Sequence, residues 1–258
     1  MSREQGLHLK DGDATDRDCR RTPTTTVLES RRWIGGGEHE GMFPLVSLGM
    51  IMHLVWYFDF ISPYSYLQFE AYPELMQTAE LRPVLFAGLL NHWGGKGPAE
   101  IPAKRVQTYR YTYWQAGQHG IAMTYPPAHP FNSIHALRLA IALACRLDAI
   151  RTIFEFIWQE GRSVTDEWPA LVQRLGLSLA DADAMIAAQR VKDALAANGR
   201  QAIDRGVYGV PTFDTGKELF WGLDATDMLL DYLEDPAVFD EPEMRRIANL
   251  PVGAARKL

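Results

Sequence analysis

Apolar residues along this chain change their period several times, and each change marks an element. From His53, "HLVWYFDF" is continuously apolar and rich in β formers, the pattern of a strand buried on both faces. "PYSYLQFEAYPELMQTAE" then places apolar residues near helical spacing, with Pro63 suited to a first helical position. "RPVLFAGL" reads as a second strand. Strand, helix and strand in succession predict two parallel strands joined by a right-handed crossover.

A helical stretch follows. "AKRVQTYRYTYWQAGQHG" predicts a helix ending at Gly120, and "TYPPAHPFN" is a proline-rich break. "SIHALRLAIALACRLDA" is apolar nearly all round, which predicts a buried central helix. "IRTIFEFIWQEG", "EWPALVQRLG" and "LADADAMIAAQ" are shorter helices, and "VKDALAANGRQAIDRG" is amphipathic. "GVPTFDT" and "KELFWG" predict two short strands around a turn at Thr215-Gly216, and "ATDMLLDYLED" a closing helix. The tail from residue 236 has three prolines and is expected to be loose. The order is β-α-β, a block of helices, then α-β-β-α.

Residues 1–48 depart from this pattern. They are polar and charged without period, and "WIGGGEHEG" adds four glycines, so they are expected to form a disordered extension outside the fold. Met50 and Met52 just precede the first strand and mark a candidate natural start.

Composition narrows the function. At 258 residues and 47% hydrophobic, the chain can bury a core as one large domain or two small ones. A net charge of −6 argues against nucleic acid or an anionic membrane as partner. Cys19 and Cys145 are far apart, which gives no disulfide framework. The seven histidines show no ligand spacing, so no metal is expected. "FPLVSLGMIMHLVWYF", residues 43–58, lies too deep for a signal core and is too short to span a membrane, so a cytoplasmic protein is expected.

Two short stretches carry candidate chemistry. In "FDFISPYSYL", Ser62 stands just before a predicted helix. It can be a simple cap, its oxygen accepting a backbone N–H. It can also donate to an anion or thiolate, which a helix N-terminus favours. In "GVYGVPTF", Pro211 interrupts an apolar strand signal. That is a turn into an edge strand, or a cis bond beside an edge that can pair with an extended peptide.

Together, "FDFISPYSYL" and "YGVPTF" resemble the 2-hydroxychromene-2-carboxylate isomerase family, which is close to kappa-class glutathione transferases and bacterial disulfide oxidoreductases. The resemblance covers roughly residues 53–235. It implies an α/β thioredoxin-like fold, formed by residues 53–90 and 190–235, with a large all-helical insertion over residues 91–189. Redox relatives open the first helix with CxxC; here Ser62-Pro63-Tyr64-Ser65 stands in that place, and serine cannot form a mixed disulfide.

The resemblance further implies glutathione as cofactor and Ser62 as the catalytic hydroxyl that hydrogen-bonds its sulfur. The backbone of Val210-Pro211, with a cis bond, would pair with the cysteinyl part. Leu223 and Asp224 would hold the γ-glutamyl end, Asp224 also being placed to cap the last helix. The implied activity is isomerisation of 2-hydroxychromene-2-carboxylate or a related aromatic intermediate, in a homodimer. A kappa-like transferase and a non-catalytic glutathione- or peptide-binding protein are the alternatives.

For a small aromatic carboxylate substrate, Asn91, His92, Trp93 and Lys96 follow the second predicted strand and can line a pocket or form an exposed glycine-rich loop. Asn132 can contact the pocket or cap the long helix. The stripe Tyr109, Tyr111, Tyr113 and Trp114 can be packing or a substrate wall, and Arg110 and Arg138 are candidate partners for the carboxylate.

Overall fold

The computed structural model describes residues 53–254. The expected disordered extension, residues 1–48, lies outside the described residues, as do Met50 and Met52.

The elements are β1 (Val55–Phe58), α1 (Pro63–Ala71), α2 (Pro73–Thr78), β2 (Glu80–Pro83), α3 (Phe86–Trp93) and α4 (Pro102–Gln118). Next come α5 (Ile134–Ala142), α6 (Leu147–Phe154), α7 (Trp168–Arg174), α8 (Leu179–Ala187) and α9 (Gln189–Asp204). The chain then forms β3 (Thr212–Asp214), β4 (Leu219–Trp221), α10 (Thr226–Glu234) and α11 (Pro242–Ala248). One mixed sheet has the order β2-β1-β3-β4. β1 and β2 are parallel as predicted, while β3 runs antiparallel to both β1 and β4. This is a thioredoxin-like α/β fold, with the helices α4 to α8 inserted between its two sequence halves.

The core is aromatic. Trp56 and Phe58 on β1 stack at 4.5 Å, and Phe154 on α6 approaches the rings of Trp56, Phe58, Phe60, Tyr66 and Phe69. Phe154 is fully buried, so one ring joins an inserted helix to the sheet and to α1.

Several boundaries differ from the sequence reading. The second strand stops at Pro83, and "FAGL" belongs to α3, because a buried carboxylate accepts the Phe86 N–H and starts a helix there. Residues 91–93 are therefore the last turn of that helix, not loop, and Gly94 ends it at φ 64°. The first predicted helix breaks at Tyr72, before Pro73. The central helix stops at Ala142, where Ala144 and Cys145 take positive φ. The tail is not loose throughout: Pro236–Asp240 forms a 3₁₀ turn whose Phe239 ring lies 5.1 Å from Tyr232 and 5.9 Å from Phe220, and α11 follows.

Candidate functional site

Residues 59–62 connect β1 to α1 and carry Ser62. Each of their four carbonyls has a donor. The Ser62 N–H donates to Asp59 at 3.1 Å and the Tyr66 N–H to Ser62 at 3.2 Å. Trp158 Nε1 donates to the Phe60 carbonyl at 2.8 Å, from a π-helical turn over Glu155–Gln159. His129 Nε2 lies 2.8 Å from the Ile61 carbonyl. A carbonyl only accepts, so Nε2 carries the proton. Nδ1 is then an acceptor, and the single Tyr109 hydroxyl proton is shared between it, at 2.7 Å, and the His129 carbonyl, at 2.8 Å. Burial lowers the His129 pKa, which keeps the ring neutral.

The first residue of this loop, Asp59, is only 1% exposed. Its oxygens accept from the Ile61 N–H at 3.1 Å and the Phe86 N–H at 2.9 Å, and the Ser133 hydroxyl donates to it. Burial pushes its pKa up to about 6 against the pull of those hydrogen bonds. One carboxylate thus fixes the exit of β1 and the starts of α3 and α5.

Ser62 is the N-cap of α1, with extended backbone and its Oγ accepting from the Ser65 N–H at 3.2 Å. The same oxygen stands 3.5 Å from the Val210 carbonyl, to which its hydroxyl donates in a long hydrogen bond. The Val210–Pro211 peptide is cis. The N–H groups of Val210 and Tyr64 make no hydrogen bond with the described residues. At Gly209, an added Cβ would fall 2.3 Å from Trp221 Nε1, so glycine lets this indole pack onto the turn before Val210.

Asp224 is exposed, in a 3₁₀ turn before α10, and is close enough to Tyr64 to help raise that phenol's pKa. It does not cap α10 as expected: Ala225 occupies the cap position and no side-chain bond is made there. Gly222, at φ 94°, makes room for the Asp224 carboxylate, which would lie 2.5 Å from a Cβ. Leu223 is buried and its carbonyl accepts from Thr226 Oγ1 at 2.7 Å. Gln68 on α1 sets this turn. Its amide accepts from Trp56 Nε1 at 2.7 Å and donates to Thr226 Oγ1 at 2.8 Å and the Gly222 carbonyl at 3.2 Å.

The structure therefore brings Ser62, Val210 and Pro211 together, with Asp224 near Tyr64. Trp93 is half exposed, and its Nε1 donates to the Val207 carbonyl at 3.0 Å, three residues before Val210. Asn91 and Lys96 are exposed, and no hydrogen bond links them to this group. Asn132 accepts from the Ile134 N–H at 3.0 Å, so it serves the start of α5. The aromatic stripe divides. Tyr109 turns in to His129 and Tyr125, while Tyr111 and Trp114 stack at 5.9 Å and stay exposed. With Arg110 they line a groove of about 480 Å³, and burial, with smaller contributions from Tyr111 and Asp224, raises the Tyr64 pKa.

Sequence reasoning missed Asp59, Gln68, His129 and Trp158. The signal for His129 was its place between prolines in "TYPPAHPFN". Cys145 offers no redox alternative at Ser62: burial pushes its thiol up to about 11, so it stays protonated.

The fold and this site define a class, and the chain belongs to it: residues 53–234 match the DSBA-like thioredoxin domain family. Within that class it is similar to the 2-hydroxychromene-2-carboxylate isomerase of Sphingobium xenophagum, with 29% identity over 195 residues, 69% of this chain and 96% of that protein. It is also similar to glutathione S-transferase kappa 2 of Caenorhabditis elegans, with 26% identity over 204 residues, 70% of this chain and 91% of that one. The solved selenomethionine form of 2-hydroxychromene-2-carboxylate isomerase shares the fold, with a TM-score of 0.63 at 23% identity over 78% of this chain and all of the other. The chain is thus related to isomerases and glutathione transferases. Among the described residues no helix is long and apolar enough to cross a membrane.

Proposed function

We propose that this protein is a glutathione-dependent isomerase acting on 2-hydroxychromene-2-carboxylate or a related aromatic intermediate. One observation carries the reading: at the start of α1, Ser62 Oγ stands 3.5 Å from the carbonyl of Val210, and among the described residues the N–H groups of Val210 and Tyr64 have no acceptor. An extended tripeptide thiol suits this arrangement. Val210 would offer it a backbone N–H and carbonyl, as a sheet edge does for a peptide. The Ser62 hydroxyl and the helix N-terminus would stabilise its thiolate. Asp224, exposed near Tyr64, would face the ammonium group, with Leu223 beneath it.

Bound glutathione would supply a thiolate that adds reversibly to an unsaturated carbon, letting that bond turn before elimination. The chain's own contribution is binding, orientation and electrostatic stabilisation. Tyr111 and Trp114 offer the substrate ring an aromatic wall, and Arg110 beside them offers its carboxylate a cation. Asn91, Trp93 and Lys96 are proposed for the side next to the 207–210 segment, where Trp93 is bonded. Asn132 holds the start of α5 through its Oδ1 and is proposed as a further substrate contact through its exposed amide.

The test is calorimetric titration with glutathione, then ultraviolet absorbance of a hydroxychromene carboxylate with and without it. Binding with glutathione-dependent isomerisation supports the reading. Irreversible conjugation would favour the transferase reading, which the kappa relative supports at 26% identity. Binding without either reaction would leave a binding protein.

A further inference from the structure

We propose that the crevice between α3, α5 and α9 is a second binding site, for a small organic anion with an apolar body. The crevice holds about 320 Å³ and shares no lining residue with the Ser62–Pro211 centre or the α4 groove. That volume is at the lower end for a small-molecule site, roughly 300–1,000 Å³.

Its chemistry is lopsided. Leu85, Leu89, Ile134, Leu195 and Ile203 supply an apolar floor. Arg138, Lys192 and Arg200 supply three cations, and no carboxylate lines the crevice. None of the three cations forms an ion pair with a described residue. The Nε of Arg138 is buried and has no hydrogen-bond partner among the described residues. A buried guanidinium donor without an acceptor is costly, and native proteins rarely leave one so. A ligand carboxylate or sulfonate would complete it, in the planar geometry a guanidinium prefers.

Two glycines hold the space open. A Cβ at Gly88 or Gly199 would meet nothing within 4 Å, so packing does not require glycine at either position. Gly199 lies inside α9, where glycine is a poorer helix former than alanine. Glycine there keeps the crevice wide at the expense of the helix.

The experiment is a calorimetric titration of the full chain with 1-naphthoate, and with the neutral alcohol 1-naphthalenemethanol. Wild type should bind the carboxylate more tightly than the alcohol, and added salt should weaken it. Arg138→Gln should weaken naphthoate binding about ten- to a hundredfold. Gly199→Leu fills the space while raising helix propensity, so it should fold and lose the ligand. Glutathione affinity should be unchanged in both variants. Absence of naphthoate binding to wild type would overturn the proposal. So would equal affinity in wild type, Arg138→Gln and Gly199→Leu. Binding lost in Arg110→Gln but kept in those two would assign the probe to the α4 groove and also overturn it. Glutathione binding and isomerisation are measured separately, so failure here leaves the proposed function standing.

Discussion

Ser62 and Val210 lie 148 residues apart in sequence, yet the hydroxyl of one stands 3.5 Å from the carbonyl of the other. Ser62 is at once the cap of α1 and the neighbour of a cis peptide. Its two functional readings are therefore compatible, and one substitution separates their contributions.

Ser62→Ala removes the cap bond to the Ser65 N–H and should cost about 0.5–2 kcal/mol of stability. If the hydroxyl also stabilises a thiolate, turnover at neutral pH should fall about ten- to a hundredfold. Thiolate absorbance against pH, with glutathione bound, checks this directly. Superimposable curves and equal turnover would leave Ser62 as a cap alone.

Ser65→Ala should do the opposite. The Ser65 hydroxyl is fully buried and has no partner among the described residues, so its removal leaves nothing there unsatisfied. Alanine also favours the helix by a few tenths of a kcal/mol. Stability should stay level or rise by up to about 1 kcal/mol, and activity should persist. A clear drop in melting temperature would show that the hydroxyl has a role these contacts do not reveal.

Asp59 gives stability a pH dependence. Its carboxyl rises from an ordinary 3.8 to about 6 in the folded protein, because burial disfavours the charge. Between those values the folded state holds a proton that the unfolded state has released. This contribution is fully present below pH 4 and is lost as pH rises towards about 6. The gap corresponds to roughly 3 kcal/mol. Asp59→Asn should flatten the urea-midpoint profile over pH 4–6 relative to wild type, whatever its effect on absolute stability. Parallel profiles would contradict this account.

Gln68→Leu should be strongly destabilising despite its apolar side chain. It strands the buried Trp56 Nε1–H and removes a donor from both Thr226 Oγ1 and the Gly222 carbonyl. Each buried group left unpaired costs about 1–3 kcal/mol, so a loss of about 2 kcal/mol or more is expected. Equilibrium urea unfolding measures it, with near-ultraviolet circular dichroism reporting the Trp56 environment. A loss below about 1 kcal/mol would mean water replaces the amide.

The elements that the sequence displays well are those whose signal is local. The buried strand at Val55–Phe58 announces itself as an apolar run, and Pro63 marks a helix start, whereas the sequence reads as one continuous helix through the second start at Pro73. Ser62 and the cis Pro211 were legible because each sits in a short, characteristic stretch. What stayed hidden depends on contacts between distant segments. Phe86 begins a helix because Asp59, 27 residues earlier, accepts its N–H, and no window around "LFAGL" contains that fact. His129 reads as one more loop residue until the fold sets its ring 2.8 Å from Ile61. Phe239 lies in a proline-rich tail, and only the placement of Tyr232 and Phe220 gives it a partner.

The loop carrying Ser62 belongs to the sheet's half of the chain, but an indole and an imidazole from the inserted segment hold two of its carbonyls. The insertion is therefore a splint for that loop, beside the pocket role proposed for it. A chimaera made by transplanting a relative's helices onto this sheet would inherit that relative's substrate walls. Without a tryptophan and a histidine at matching positions, it would also release the backbone beneath the hydroxyl. Altered selectivity in such a hybrid would arrive together with blunted turnover, and restoring those two rings would be the first repair to make.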